Sequence, residues 1–532
     1  MQNIFIQYVF LILVILALMM VAKALKIAYP IILLLGGLAL SLTNIFSDVT
    51  IAPDAIFFIF LPPLLYEAAW QISWKEFWKW RRVITSFAFP IVIITSCVIA
   101  FISSAIIPGF PLAFGFLLGG IVSPPDAVSA TAIMQSVKVP KSLVTIIEGE
   151  SLLNDASSLI VFRFALAAIF TGQFDMAQAT WTFFLVVSMG MVIGLAVGVV
   201  FYYIHRLLPT TSSIEIVLTL VTPYCMYYAA EHFHFSGVLS VVTGGLFLSS
   251  QRQTMLNYRS RIEGVNVWTN IVFVMNGLIF LLIGLQLPAI TEQLGDISTG
   301  TAIWYGLAIS FILIITRLLI TFGAAGFTRI VSRFITVADS NPGWREPLIA
   351  GWAGMRGVVS LAAALSVPVM LENNTPFPNR NLILFITFIV ILVTLVFQGL
   401  TLPWLIGKVK PRERFSLIPR DKQEIIIQKK IARCSLNFLE ERYPRDNSTN
   451  EFINNLHTRF KLDLDYFDPE ADPQTRDGDG ILKKFQNSYL ELLDEQRSLL
   501  SKMNRKEEFD EELIRKYLAL LDLEEYKVRE KM

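Results

Sequence analysis

Up to about residue 406 the chain is a succession of apolar runs, each roughly 15–28 residues long, separated by short polar breaks. A helix crossing the hydrocarbon core of a bilayer needs about 20 apolar residues. By that measure thirteen spans are predicted, near 4–22, 30–44, 54–70, 83–106, 110–133, 142–170, 177–204, 212–232, 235–249, 262–287, 301–327, 346–370 and 379–406. The second and ninth are short, and dropping one leaves twelve. Residues 1–22 lack a basic leader and their apolar run is too long for a cleaved signal. Only 16% of residues are charged, against about 25% in soluble proteins. The net charge of +1 argues against a nucleic-acid partner.

Loop charge sets the orientation. With the N-terminus outside, the inner loops carry Lys23, Lys26, Lys75, Lys79, Arg81, Arg82, Lys138, Lys141, Arg206, Arg252, Arg259, Arg261, Arg329, Arg333 and Arg345. The opposite loops carry only Arg380. Basic loops stay in the cytoplasm, so an odd span count with a cytoplasmic tail is expected. Cys97, Cys225 and Cys434 are scattered, and the four histidines form no ligand cluster, which argues against a disulfide framework, a resident metal or another cofactor.

Charged groups at bilayer depth are expensive and therefore functional candidates. The predicted spans hold Glu67, Asp126, Glu148, Glu150, Asp155, Arg163, Glu215, Glu231, Glu263, Arg317 and Arg356. The sixth reads TIIEGESLLNDASSLIVFRF. Ser151, Asp155 and Ser158 fall at i, i+4 and i+7 and share one helix face; Glu150 and Asn154 share the next. Such a wedge faces protein or a water-filled cavity, not lipid. A hydrogen-bonded structural network is the alternative to an ion site, and Glu150 alone reads best as half of an ion pair.

The fifth span contains GGIVSPPDAVSATA, residues 119–132. Pro124 and Pro125 remove two backbone donors in mid-span. A helix broken at that depth is tolerated only where it lines a cavity or is buried in protein. Ser123 is expected to cap the second half-helix, with Pro124 in its first position and Asp126 in its first turn, near the positive end of the dipole. A plain capping role for Asp126 is the alternative. The twelfth span, IAGWAGMRGVVSLAAALSVP, is also glycine-rich around a charge, Arg356. Spans 5 and 12 are seven apart and so cross in opposite directions. Two interrupted spans in corresponding places of inverted halves point to a transporter with alternating access.

FLPPLLYEAAW (60–70), GGIVSPPDAVSA (119–130), EGESLLNDASSLIVF (148–162) and GMRGVVSLAAALSVP (354–368), in this order, resemble the bacterial sodium/proton antiporters of the cation/proton antiporter-1 family. The resemblance is to the NhaP-like branch, related to eukaryotic sodium/hydrogen exchangers. It implies an all-α polytopic membrane protein, with about thirteen spans in inverted repeats, two unwound crossing helices and an NhaA-like antiporter fold. Asp155 of the Asn154–Asp155 pair would take either the cation or the proton. Asp126 and Ser151 would add ligands for the transported Na⁺, Glu150 would pair with Arg317, and Arg356 would place its charge near the crossover of spans 5 and 12. A homodimer in the cell inner membrane and a part in pH homeostasis are also implied. Many relatives have Thr-Asp-Pro where this chain has Pro125-Asp126-Ala127. The threonine ligand does not carry over; Ser123 or a backbone carbonyl is the expected substitute.

The mechanism follows from chemistry as well. Removing a carboxylate from water penalises its charged form, so proton and cation compete for one group. Antiport results if the site changes sides only when occupied. Li⁺ and K⁺ are alternative cargoes. Asn154 is neutral where an aspartate would add a charge, a pairing that in the resembling family goes with electroneutral one-for-one exchange, so the resemblance implies it here. A cation channel or an intramembrane protease would use similar residues. The inverted broken helices favour a carrier over a channel, and the absence of a histidine deep in any span argues against a serine protease.

Residues 1–406 are thus expected to form the transmembrane exchanger and 407–532 a mainly helical cytoplasmic tail, either a solvated assembly domain or a regulatory module. The tail carries 25 basic and 26 acidic residues. Leucines, isoleucines and phenylalanines at helical spacing predict helices over 421–441 and 482–525, with a looser middle over 443–480. The Asp477–Gly480 piece lacks the ligand spacing of a calcium loop.

Overall fold

The computed structural model describes residues 2–43, 56–134, 137, 139–172, 176–208, 211–292, 294, 297–334, 339, 343–371, 375–411, 420–443, 451–466, 478–503 and 511–529. The chain divides into two compact units, Met1–Glu413 and Arg414–Met532.

Among its described residues the regular structure of the first unit is helical, apart from one isolated bridge between Met370 and Pro376. Its helices are α1 (Gln2–Leu25), α2 (Tyr29–Ser41), α3 (Leu61–Gln71), α4 (Trp74–Ile106), α5 (Leu112–Val122), α6 (Ala127–Met134), α7 (Lys141–Thr171) and α8 (Met176–Leu207). There follow α9 (Ser212–His232), α10 (Gly237–Met255), α11 (Tyr258–Leu285), α12 (Leu287–Glu292), α13 (Thr299–Val331), α14 (Arg345–Trp352), α15 (Val358–Leu365), α16 (Arg380–Val393) and α17 (Gly399–Val409). Each predicted apolar segment coincides with one of these helices or with a broken pair. Eight segments are long and apolar enough to cross a membrane on those criteria alone, the broken pair α5–α6 counted as one of them.

The helices extend beyond the apolar runs wherever amphipathic ends continue them. α4 starts at Trp74, nine residues before the predicted apolar run. The last span continues to Val409, where Lys410 takes a left-handed conformation (φ 49°) and ends it. Within that span a π-helical stretch, Thr394–Gln398, joins α16 to α17.

The helices sort into two bundles. α4–α7 and α13–α17 pack mainly among themselves, as do α1–α3 and α8–α11. An apolar cluster joins both and includes Leu33, Phe280, Leu117, Phe385 and Phe388, all sealed from solvent. One ion pair also crosses, Arg163 Nη2 on α7 to Glu231 Oε2 on α9 at 2.7 Å. Glu231 is fixed in turn by the Gly237 N–H, 3.1 Å from Oε1.

The second unit holds α18 (Arg420–Arg442), α19 (Glu451–Tyr466), α20 (Gly478–Met503) and α21 (Glu511–Arg529). The expected looser middle contains a sixteen-residue helix, α19. Its apolar residues Phe452, Ile453, Leu456 and Phe460 recur at i, i+1, i+4 and i+8, a helical stripe that the flanking polar sequence obscures. The expected single run over 482–525 is two helices. Asp477 lies outside the described residues, while Gly478–Gly480 form the first turn of α20.

Candidate functional site

The break in span 5 falls at Ser123–Asp126, between α5 and α6. Its layout corrects the expected cap. Pro125 disfavours the helical region for the residue before it, so Pro124 cannot open a helix, and α6 begins only at Ala127. Asp126 is the cap: Oδ1 accepts from the Val128 N–H at 3.0 Å, and Oδ2 from the Ser129 hydroxyl at 2.5 Å. Ser123 instead closes α5, its N–H donating to Gly119 O at 2.9 Å. Its buried hydroxyl has no hydrogen-bond partner among the described residues.

The break in span 12 is Ala353–Gly357, between α14 and α15. The two breaks touch. The Asp126 N–H donates to Met355 O at 2.7 Å. A Cβ on Gly357 would lie 2.2 Å from Asp126 Oδ2, so only glycine admits the carboxylate there.

Arg356 is 1% exposed. Its guanidinium donates from Nε to Val122 O at 2.7 Å and from Nη2 to Ser123 O at 3.2 Å, and Nη1 donates to Gly354 O. The positive charge therefore sits on the carbonyl end of half-helix α5, where the dipole is negative. Its backbone N–H, orphaned by the break, donates to Thr394 Oγ1 at 3.1 Å. Thr394 was not singled out from the sequence, because a threonine 38 residues away in an apolar run carries no local sign of that partner.

The α7 wedge packs against the first break. Ser151 Oγ accepts from the Ala127 N–H and donates to Pro125 O, each at 3.1 Å, bridging the gap from the side. Asn154 Nδ2 donates to Glu150 Oε1 at 3.0 Å, while Asn154 Oδ1 has no hydrogen-bond partner among the described residues. Glu150 faces Arg317 of α13: Nη1 lies 2.9 Å from Oε1 and Nη2 donates to Oε2 at 3.1 Å. Arg317 also reaches Ala350 O at 3.4 Å. Ser158 turns its hydroxyl back to the Asp155 carbonyl at 3.0 Å.

Asp155 differs from all of these. It is 7% exposed, and its carboxylate accepts no hydrogen bond among the described residues; the charge of Asp126 bears on it. A buried carboxylate without donors is costly as an anion. Of the expected substitutes for the missing threonine, the backbone carbonyls of Ser123 and Pro125 are taken, by Arg356 and Ser151 respectively, while the Ser123 hydroxyl has no partner among the described residues. From the other bundle, the Tyr29 hydroxyl stands within electrostatic range of Asp126 and Glu67.

Two broken helices that meet head to head beside an unbonded buried aspartate define a polytopic membrane protein of the broken-helix transporter class. The chain belongs to the sodium/hydrogen exchanger family, whose transmembrane model matches residues 10–408. It is 32% identical over 410 residues to a sodium, potassium, lithium and rubidium/H⁺ antiporter of Bacillus pumilus, a match covering 75% of this chain and 60% of the relative. A protein of the same description from Bacillus subtilis is 34% identical over 370 residues, covering 66% of this chain and 53% of the relative. The chain thus spans little more than half the length of these two relatives. The low-affinity Na⁺/H⁺ antiporter NhaS1 of Synechocystis is 33% identical, covering 71% and 68%. The fold is that of the sodium/proton antiporter MjNhaP1 of Methanocaldococcus jannaschii, matched with a TM-score of 0.56 over 77% of this chain and 100% of that one, at 18% identity.

Proposed function

We propose that the protein is a secondary antiporter that exchanges a monovalent cation, Na⁺ foremost, for H⁺, by competition at Asp155. The observation that carries this reading is the contrast between the two aspartates at the crossing. Asp126 is satisfied by a hydroxyl and a backbone N–H, whereas Asp155 has neither among the described residues. One carboxylate is thus fixed as scaffold and the other is left to bind. With Asp155 protonated or cation-bound, the crossing carries no uncompensated negative charge and the occupied site can move. Empty, it holds a bare buried anion, which opposes the movement.

In this reading Asp126, Ser151 and Asn154 shape the site. Asn154 Oδ1 supplies an acceptor for the incoming cation. Glu150 and Arg317 hold α7 to α13. Arg356 neutralises the carbonyl end of the first break, so the charge of the crossing varies with the occupant of Asp155. One-for-one, electroneutral exchange follows. In the same reading residues 1–406 form the exchanger and 407–532 a cytoplasmic tail, and the basic loops support an N-terminus outside a bacterial plasma membrane. The Bacillus relatives are named for potassium, lithium and rubidium as well as sodium, which supports K⁺ and Li⁺ as further cargoes.

The test is pH-gradient dequenching in proteoliposomes, with Na⁺, Li⁺ and K⁺ added in turn. Na⁺-dependent dequenching in the wild type and none in Asp155→Asn is the expected result. Flux that rises linearly with cation, without saturating, would replace the carrier by a channel.

A further inference from the structure

α7 takes part in two ion pairs that differ in kind. Glu150–Arg317 joins it to α13 inside one bundle, with both side chains closed to solvent. Arg163–Glu231 joins it to α9 across the seam between the bundles, where α7 also meets α3 and α10, and its side chains are 46% and 20% exposed. Breaking the first strands a buried charge. The second is built to part. Glu231 Oε1 accepts from the Gly237 N–H at 3.1 Å, in the first turn of α10. The carboxylate therefore keeps a donor and the positive end of a helix dipole when Arg163 leaves. A Cβ on Gly237 would lie 2.7 Å from Tyr227 Cδ2 and 3.0 Å from Glu231 Cγ, so the close approach depends on glycine. Arg163, nearly half exposed, exchanges its partner for water.

The seam on the other side of Asp155 carries no such tie at Glu148. That residue lies seven positions before Asp155, on nearly the same face of α7. Across the seam it is within electrostatic range of Glu67 of α3, and both carboxyls are partly exposed. Opposite charges thus bind the bundles past one end of the site, while two acids face each other at the other end. Alternating access moves one bundle against the other around a fixed site. A tie across the seam must part whenever the site opens to its side.

We propose that Arg163–Glu231 is a reversible latch that closes the outer side of the Asp155 site and so sets the balance between its inner and outer affinities. The inference rests on the antiporter reading. In the orientation proposed above, Arg163 stands toward the outer end of α7, eight residues past Asp155, about 12 Å along the axis at 1.5 Å per residue. With the latch closed the site is offered inward. With it parted the site is offered outward, and Glu231 waits on the Gly237 N–H for Arg163 to return.

Ser158, one turn past Asp155 toward Arg163 and 1% exposed, reports the opening. Ser158→Cys, in a full chain with Cys97, Cys225 and Cys434 changed to serine, is labelled with a membrane-impermeant thiosulfonate in right-side-out and inside-out membrane vesicles. Arg163→Gln or Glu231→Gln should raise the labelling rate in right-side-out vesicles about 1.5- to 5-fold, the range for loss of an exposed ion pair. The double variant Arg163→Gln/Glu231→Gln should do no more than either single change, since one contact is lost in all three. Arg163→Lys, which keeps the charge, should stay near the unchanged rate. Rates that do not move in the single variants overturn the proposal. So do additive effects of the two changes, and so does a rise confined to inside-out vesicles. If Ser158→Cys does not fold, sided Na⁺ kinetics decide. The ratio of outer to inner apparent KM should fall by the same factor in the single variants, and an unchanged ratio overturns the latch. Labelling needs no turnover, so failure of the latch is told apart from failure of exchange itself.

Discussion

Glu150 and Arg317, 167 residues apart, form an ion pair in which both side chains are closed to solvent, at 1% exposure or less. The pair joins α7 to α13, and Asn154 is attached to it through Glu150 Oε1. A buried charge that loses its partner typically costs about 3–5 kcal/mol. Glu150→Gln and Arg317→Met should therefore lower the unfolding temperature in detergent sharply, while cation affinity in the surviving folded fraction changes little. A variant as stable as the wild type but with altered affinity would move Glu150 into the ion site.

Asp155 and Asp126 should separate by phenotype. Asp155→Asn is expected to abolish exchange and to leave thermal stability equal or higher, because it removes an unbonded buried charge. Asp126→Ala removes a helix cap and should cost about 0.5–2 kcal/mol, along with activity. Paired melting curves and flux assays check this. Robust Na⁺-driven proton flux from Asp155→Asn would falsify the competition mechanism.

Gly357 tests the contact between the two breaks. Alanine there places a methyl group 2.2 Å from Asp126 Oδ2. The carboxylate or the α15 end must move, so Gly357→Ala should lose most exchange. A Gly357→Ala protein with wild-type turnover would show that the approach of Gly357 to Asp126 is not needed.

Stoichiometry is tested at Asn154. With valinomycin and K⁺ setting the membrane potential, the Na⁺/H⁺ null point of the wild type should not shift with voltage. In Asn154→Asp a second carboxylate stands beside the first, and joint ionisation of close like charges is disfavoured. That variant should either stall or acquire a voltage-dependent null point. A voltage-dependent wild type would remove the role given to Asn154.

In the tail, Arg497 of α20 gathers Asp494 at 3.0 Å, Asp522 at 2.8 Å and Glu525 of α21. Hydrogen bonds from Arg529, and then from Arg497, hold the Glu525 carboxyl below its usual range. A lowered folded-state value means that stability is present above the ordinary carboxyl range and is lost as pH falls through the lowered value. Hydrogen exchange of α20–α21 should accelerate on acidification below that range and in Arg497→Ala at neutral pH. An unchanged protection pattern in Arg497→Ala would show that apolar packing alone holds the hairpin.

The sequence by itself determined the elements that repeat locally. Apolar runs of bilayer length located the spans, because lipid demands that each backbone polar group be met within its own helix. The i, i+4, i+7 spacing of Ser151, Asp155 and Ser158 revealed the polar face of α7. Two prolines and a cluster of glycines marked breaks that a lipid-facing helix could not carry. The looser tail middle was misjudged because the stripe of α19 is short and embedded in polar sequence. Only the tertiary structure decided which polar group satisfies which. Asp126 caps α6, while Ser123, three residues earlier, closes α5; the Pro124–Pro125 pair separates the two roles. Arg356 turned to the Val122 and Ser123 carbonyls, and Thr394 took up its N–H. Those partners lie 234, 233 and 38 residues away. No periodicity records such distances. The breaks free their backbone groups locally, and the groups that satisfy them arrive from whichever helices pack there. Among the described residues, that accounting leaves the Asp155 carboxylate without a donor.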